Sequence, residues 1–366
     1  MIYHKAEEEN NKVIVYAALI AIFFGSGAFF WTRYEKERAI RYMITTYFVG
    51  YMFLLCFRAT SVGIDTVNYI YRYFEPFQSM GWQEVFRYRA DELGFSLFVK
   101  IVAVITNNPQ IFIIVTALVS VIPVMILYRN ESREAAVCCA FFMISLLFEI
   151  FFSGMRQGIA LGLTVPAYYF TKQKKIIPFL LIVALAVTFH VSAVMILFIY
   201  PIYHAKITGK WLWVVVPVMG LIYYYNRVIF TVLFEAFGGK YFEKYSTLTG
   251  TTNQYGLLVL FILLSGYCIF MMDEGIADKD DIGIRNILLL ATVIQFFAPL
   301  HSIVSRLNYY YILFIPIAIT RSNQKCKHKY WQIAKIASWV MTVYFIYYFF
   351  FSKGDTLLIM NYQFCF

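Results

Sequence analysis

Arg58, Asp65, Glu92, Arg156, His190, His301 and Arg306 are the ionisable residues of this sequence whose surroundings set them apart. Each stands at the edge of a long apolar run or in the polar stretch that follows one. There an ionised group is costly unless it is paired, water-lined or in use. Their chemistries complement one another. A guanidinium offers phosphate oxygens a planar, permanently charged fork that the flexible ammonium of lysine does not match. A carboxylate or imidazole accepts the proton of an attacking hydroxyl when its pKa is brought near the working pH. Asp65 in GIDTVNYIYRYF, Arg156 in SGMRQGIA and His190 in TFHVSA are therefore the catalytic candidates. Arg58, Glu92, His301, Arg306 and Tyr69 are the candidates for holding a substrate. Each also admits a plainer role. Asp65 can cap a surface helix whose first turn holds Thr66 and Asn68, His190 can satisfy a helix end, and the arginines can reach lipid phosphates. His190 and His301 have no paired spacing with acids, and no Gly-rich phosphate loop is present, so neither metal nor cofactor is expected.

The scaffold that must position these groups is set by composition. Hydrophobic residues make up 61% of the chain, aromatic ones 20% and charged ones only 14%, against about 25% charged in soluble proteins. Water cannot be the solvent for that much apolar surface. Crossing a hydrocarbon core takes roughly 20 apolar residues in helical form, and such runs recur about a dozen times, from 13–31 to 331–351. Barrel strands would alternate polar and apolar residues, which these continuous runs do not. The expected fold is all-α: one polytopic integral membrane domain over residues 1–366, with outer loops at 58–92 and 226–254. The net charge of +10 does not point to nucleic acid, because the basic residues are scattered among short connections. The six cysteines show no CxxC spacing, so neither a disulfide framework nor a zinc site is signalled. The first twelve residues lack a signal-peptide pattern, which predicts that the first span is retained.

Orientation follows from the basic clusters Arg33/Lys36/Arg38/Arg41, Lys172/Lys174/Lys175, Lys206/Lys210 and Arg321/Lys325/Lys327/Lys329. Under the positive-inside tendency all are cytoplasmic, which puts the N-terminus outside. The count then requires 93–106, short and interrupted by Lys100, to be a re-entrant or surface helix before the span at 110–128. With that topology the seven ionisable groups gather on the extracytoplasmic side, as a shared outward cavity would have them. Tyr69, Tyr71, Tyr73, Phe74 and Tyr309 to Tyr311 are placed to stack on sugar rings, although most aromatic residues in such a chain belong to interface belts and packing.

The stretches RATSVGIDTVNYIYRYFEP, DELGFSLFVKIV, MRQGIALGL, FHVSAVMILFIYPIY and SRLNYYYILFIPI, in this order, resemble the EpsG family of bacterial exopolysaccharide biosynthesis proteins. That family is similar to the Wzy-type O-antigen and capsule polymerases. The glycine-threonine-aspartate element of the family stands here as Gly63-Ile64-Asp65, keeping the acid and changing the middle position. The resemblance implies a GT-C-type membrane glycosyltransferase in the bacterial cytoplasmic membrane. It would join undecaprenyl-diphosphate-linked oligosaccharide repeat units at the outer face, with membrane lipid around it and flippase and chain-length regulator proteins as partners. In that reaction Arg156, completed by Arg58 and Arg306, would grip the leaving diphosphate. Asp65 would take the proton of the attacking hydroxyl, with His190 as second base or phosphate contact and Glu92 orienting a sugar hydroxyl. A flippase or other lipid-linked oligosaccharide transporter is the alternative, as is a membrane O-acyltransferase acting on glycans, centred on His190. A purely structural assembly partner is the bland third class. The sequence shows none of the internal repeats many transporters carry.

Overall fold

The computed structural model describes residues 2–88, 92–132, 134–144, 147–207, 209–225, 228–229, 232, 255–299, 302–348 and 357–366. Among them every regular element is helical, as expected of a chain whose backbone must satisfy itself in lipid. Helices Ile14–Arg33, Lys36–Cys56 and Pro109–Glu131 are long and apolar enough to cross a membrane. Ala135–Phe142 and Leu147–Ser153, whose axes diverge by 55°, make a fourth crossing if counted as one broken span. The other apolar helices, among them Leu93–Ile105, Ile176–Phe189 and Tyr255–Met271, run only 10–17 residues. The expected dozen full-length runs thus resolve into three or four long helices and a set of shorter ones. Most of the loop 226–254 lies outside the described residues.

The chain forms two compact units, Met1–Ile196 with Lys335–Phe366, and Leu197–Ala334. In the first, α1 (Ile2–Arg33) and α2 (Lys36–Cys56) pair closely at Gly50, where a Cβ would come within 2.6 Å of Leu19. The segment after α2 follows: α3 (Thr66–Tyr69) passes through a π-helical turn, Ile70–Phe74, into α4 (Glu75–Ser79), and α5 (Trp82–Tyr88) comes next. α6 (Leu93–Ile105) carries Lys100 on its buried side. Its ammonium donates to the carbonyls of Phe77 and Met80, both at 2.7 Å, and lies over the Trp82 ring. That explains the charge in an otherwise apolar helix: it pins α6 to the ends of α4 and α5, satisfying carbonyls that a helix end leaves open. Tyr69, Tyr73, Phe74 and Phe77 pack with Phe95, Val99 and Phe112 into one buried core.

α7 (Pro109–Glu131) begins with proline at its first position and Asn108 as cap, whose Oδ1 accepts from the Gln110 N–H at 2.8 Å. After α8 (Ala135–Ile144) and α9 (Leu147–Ser153), α10 (Met155–Lys172) returns against α7. Gly158 and Gly162 make that approach possible, since a Cβ on Gly162 would stand 3.0 Å from the Val119 carbonyl and one on Gly158 3.3 Å from Ser120 Oγ. This is the small-residue spacing by which membrane helices approach closely. α11 (Ile176–Phe189) packs beside α10 and α6.

In the second unit the helix Lys279–Gln295 opens with a capping box between Asp278 and Asp281. Asp281 also takes an ion pair from Arg321 at 3.1 Å, and Arg285 of the same helix donates to the Ile207 carbonyl at 2.8 Å. The neighbourhoods of the basic clusters Lys206/Lys210 and Arg321 to Lys329 therefore meet at the start of this helix.

Candidate functional site

The site is built where four helix ends of the first unit converge. Gly154 caps α10 and sets Arg156 in the first turn, where N–H groups are unsatisfied and anions are favoured. The guanidinium is held on two sides: Nη1 forms an ion pair with Glu92 Oε2, and Nε donates to the Tyr69 hydroxyl at 3.2 Å. The Tyr69 ring lies beneath it, 5.4 Å from its centre to the guanidinium carbon. Burial pushes the Tyr69 phenol above its ordinary value, so it remains a neutral acceptor at physiological pH. Among the described residues the second terminal nitrogen, Nη2, has no partner, and the Arg156 side chain keeps 23% of its exposure.

Glu92, almost fully buried at the start of α6, is the hub. One oxygen takes Arg156, and the other stands 3.5 Å from Nδ1 of His190, the residue that ends α11. The two helices bring Glu92 and His190 together through Gly94 and Thr188, which touch. Asp65 joins the group from the turn before α3, among the electrostatic neighbours of Arg156. Its N–H donates to Ser153 Oγ at 3.2 Å, and that hydroxyl stands 3.5 Å from Asp65 Oδ2. Asp65 precedes α3 but makes no side-chain cap bond, so the expected cap role is not what holds its carboxylate. The turn that carries it depends on Gly63, at φ +91°, where a Cβ would be 2.6 Å from the Phe152 carbonyl.

Of the residues singled out in the sequence, Asp65, Tyr69, Glu92, Arg156 and His190 come together. Arg58 is close by in the chain fold but turned inward: it is 1% exposed, and it donates to the carbonyls of Leu55, at 2.5 Å, and Phe152, at 3.0 Å. Burial pulls its guanidinium down to about 10, still charged at neutral pH. Thr66 Oγ1 reaches the same Phe152 carbonyl at 3.1 Å, so Arg58 braces the turn before Asp65. Arg306 belongs to the second unit and is exposed there, and His301 lies outside the described residues. The aromatic run at 69–74 divides as well: Tyr73 and Phe74 are core, whereas Tyr71 is 64% exposed. Ser153 was missed by sequence reasoning. Its only signal is adjacency, since it sits just ahead of Gly154 and Arg156 in SGMR. Among the described residues no three His, Cys, Asp or Glu side chains are gathered as a metal centre would need.

One guanidinium with an unengaged donor, two carboxylates, an imidazole, a phenol and a hydroxyl thus share one locus on one compact unit. That set can bind an anion at Arg156 while a carboxylate takes a proton from a neighbouring hydroxyl. Among known proteins, the profile of the EpsG family matches residues 41–364. Comparison with curated proteins and with solved structures gave no match.

Proposed function

Because this chain belongs to the EpsG family, we propose that it is a polysaccharide polymerase of the bacterial cytoplasmic membrane, joining undecaprenyl-diphosphate-linked oligosaccharide repeat units at the extracytoplasmic face. A GT-C-type fold with about a dozen crossings, short helices included, belongs to this reading. In the reaction a hydroxyl oxygen of the incoming unit attacks the anomeric carbon of the growing glycan. The bond from that carbon to the diphosphate oxygen breaks, and undecaprenyl diphosphate leaves with the electron pair. Arg156 Nη2 meets the charge that builds on the leaving group, and Asp65 takes the hydroxyl proton, its carboxylate aligned by Ser153. Glu92 holds Arg156 and His190 in place.

The observation that carries this reading is the Arg156 guanidinium, fixed by Glu92 and Tyr69 with one nitrogen left over, in the electrostatic neighbourhood of the Asp65 carboxylate from a distant stretch of the chain. A lipid-anchoring arginine needs no such fixing. The decisive experiment supplies purified protein in lipid nanodiscs with one undecaprenyl-diphosphate-linked repeat unit and separates the glycan products by size. A ladder of multiples with release of undecaprenyl diphosphate is expected. Transport of the lipid-linked unit across vesicles without any ladder would replace the polymerase with a flippase.

A further inference from the structure

The turn that carries Asp65 is only partly bonded within its own neighbourhood of the chain, by Val62 N–H to the Ala59 carbonyl at 3.1 Å and Thr66 N–H to the Gly63 carbonyl at 3.0 Å. Residues 57–64 follow α2 in irregular conformation, so their backbone donors and acceptors must find partners elsewhere if they are buried. They find them in the last ten residues. Cys365 N–H donates to the Phe57 carbonyl at 2.9 Å and Ala59 N–H to the Gln363 carbonyl at 2.8 Å, around an antiparallel bridge between Arg58 and Phe364. Further along, Gly63 N–H donates to the Leu358 carbonyl at 3.1 Å and Ile64 N–H to the Leu357 carbonyl at 2.9 Å. The strap formed by residues 357–366 is itself tied down at two further points. Tyr16 Oη donates to the Ile359 carbonyl at 2.7 Å, and Tyr362 Oη to the Leu54 carbonyl at 2.8 Å.

Two features argue that this pairing does more than cover an edge. Leu358 holds φ at +52°, a left-handed conformation that a non-glycine residue adopts only under strain. It sits directly opposite Gly63, the other left-handed residue of the pair, with the hydrogen bond between them. Strain is thus accepted at the point where the strap meets the residue two before Asp65. The opposite face of the same turn is fixed by Ser153 and by the Phe152 carbonyl. The Asp65 turn is therefore clamped between α9 and the strap.

We infer that residues 357–366 are a positioning element of the active site, which hold the Gly63-Ile64-Asp65 turn against Ser153 and so keep the Asp65 carboxylate within reach of Arg156. The inference rests on the polymerase reading for its activity readout but not for its structural one. The test uses the full-length protein in native membranes, with cysteine in place of Val62, which is fully buried in the clamped turn, and the native cysteines replaced. An impermeant maleimide should leave Val62→Cys unmodified in the intact chain and modify it readily once residues 357–366 are deleted. The deletion should also shorten the glycan ladder, with long-chain product falling roughly 10²-fold at normal membrane abundance, as a displacement of about 1 Å at a reacting group does.

Unchanged labelling would overturn the strap itself. Raised labelling with a normal ladder would overturn its positioning role. A second pair of variants decides the matter if the deletion is degraded: Leu358→Gly can keep the left-handed backbone and should retain long chains, whereas β-branched Leu358→Ile cannot and should lose them. Equal ladders from the two would sink the proposal. If no variant, nor the parent chain, forms a ladder while the labelling still responds to the deletion, it is the polymerase reading that fails and the strap that stands.

Discussion

Thr188 occupies the space that a Cβ on Gly94 would need, with its Oγ1 turned toward the Leu185 carbonyl at 2.6 Å. Gly94 lies two residues after Glu92 and Thr188 two before His190, so this contact sets how closely the carboxylate and the imidazole approach. Gly94→Ala should force α6 and α11 apart, cost about 1–3 kcal/mol in stability and strongly reduce polymer. Thr188→Ala in the same chain should restore much of both, because it removes the obstacle. Thermal unfolding and the glycan ladder of the two single variants and the double check this. A double variant no better than Gly94→Ala would mean that the contact does not govern the site.

Membrane character and the residue types of the site were legible in the sequence because both are local: apolar runs show along the chain, and a charge beside one is conspicuous. Glu92, Arg156 and His190 were found in that way. Their mutual arrangement was not legible, since it depends on which helix ends meet, and Gly94 and Thr188 look like ordinary small residues in apolar helices. Lys100 was legible as a charge in a short apolar helix, but its partners were not, because they are two carbonyls from a segment some twenty residues earlier. The role of Arg58 was hidden for a similar reason: its partners include a carbonyl far along the chain, at Phe152. The strap at 357–366 left no trace in composition, because backbone pairing is indifferent to side-chain type.

Asp65 separates chemistry from folding unusually well. Because its carboxylate caps no helix, Asp65→Ala should leave membrane abundance and stability within about 0.5 kcal/mol, as substitutions away from capping or packing features do. Loss of the proton acceptor should nevertheless abolish long chains in both Asp65→Ala and Asp65→Asn. Ser153→Ala should give a milder shortening, since it removes alignment and not the acceptor. A normal ladder from Asp65→Asn would show that the carboxylate carries no proton.

The outward orientation of the site is testable with single cysteines in a chain freed of its native ones. Thr66 is fully buried and therefore a poor reporter. Asn68 and Tyr71, both exposed on the segment after α2, should react with an impermeant maleimide on intact cells, and Lys174, in the connection after α10, should react only after the membrane is opened. Labelling of Lys174→Cys in sealed cells would turn the site to the cytoplasm and end the lipid-linked polymerase reading.

Glu92 and Arg156 yield the sharpest prediction, because their pairing is both structural and competitive. In the resting site Glu92 neutralises the guanidinium, so an arriving diphosphate has to share Arg156 with a carboxylate that repels it. Glu92→Gln keeps a hydrogen-bond acceptor for Nη1 and removes that repulsion, so the lipid diphosphate should bind more tightly. The same variant loosens the hold on Arg156 and His190, so turnover should fall: KM and kcat should drop together, the pattern of a lost ground-state penalty. Arg156→Lys should also lower the rate, but without tighter binding of the lipid diphosphate. Lysine restores a charge opposite Glu92 and supports folding, but it cannot engage Glu92, Tyr69 and a phosphate oxygen from fixed directions at once. Loss of one well-placed donor to the developing charge costs roughly 10²- to 10³-fold in rate, so the ladder should collapse to single repeat units at normal abundance. Steady-state kinetics in nanodiscs beside a membrane immunoblot distinguish the two variants. Long chains from Arg156→Lys, or a raised KM in Glu92→Gln, would leave the pair as a tie between α6 and α10 with no part in the reaction.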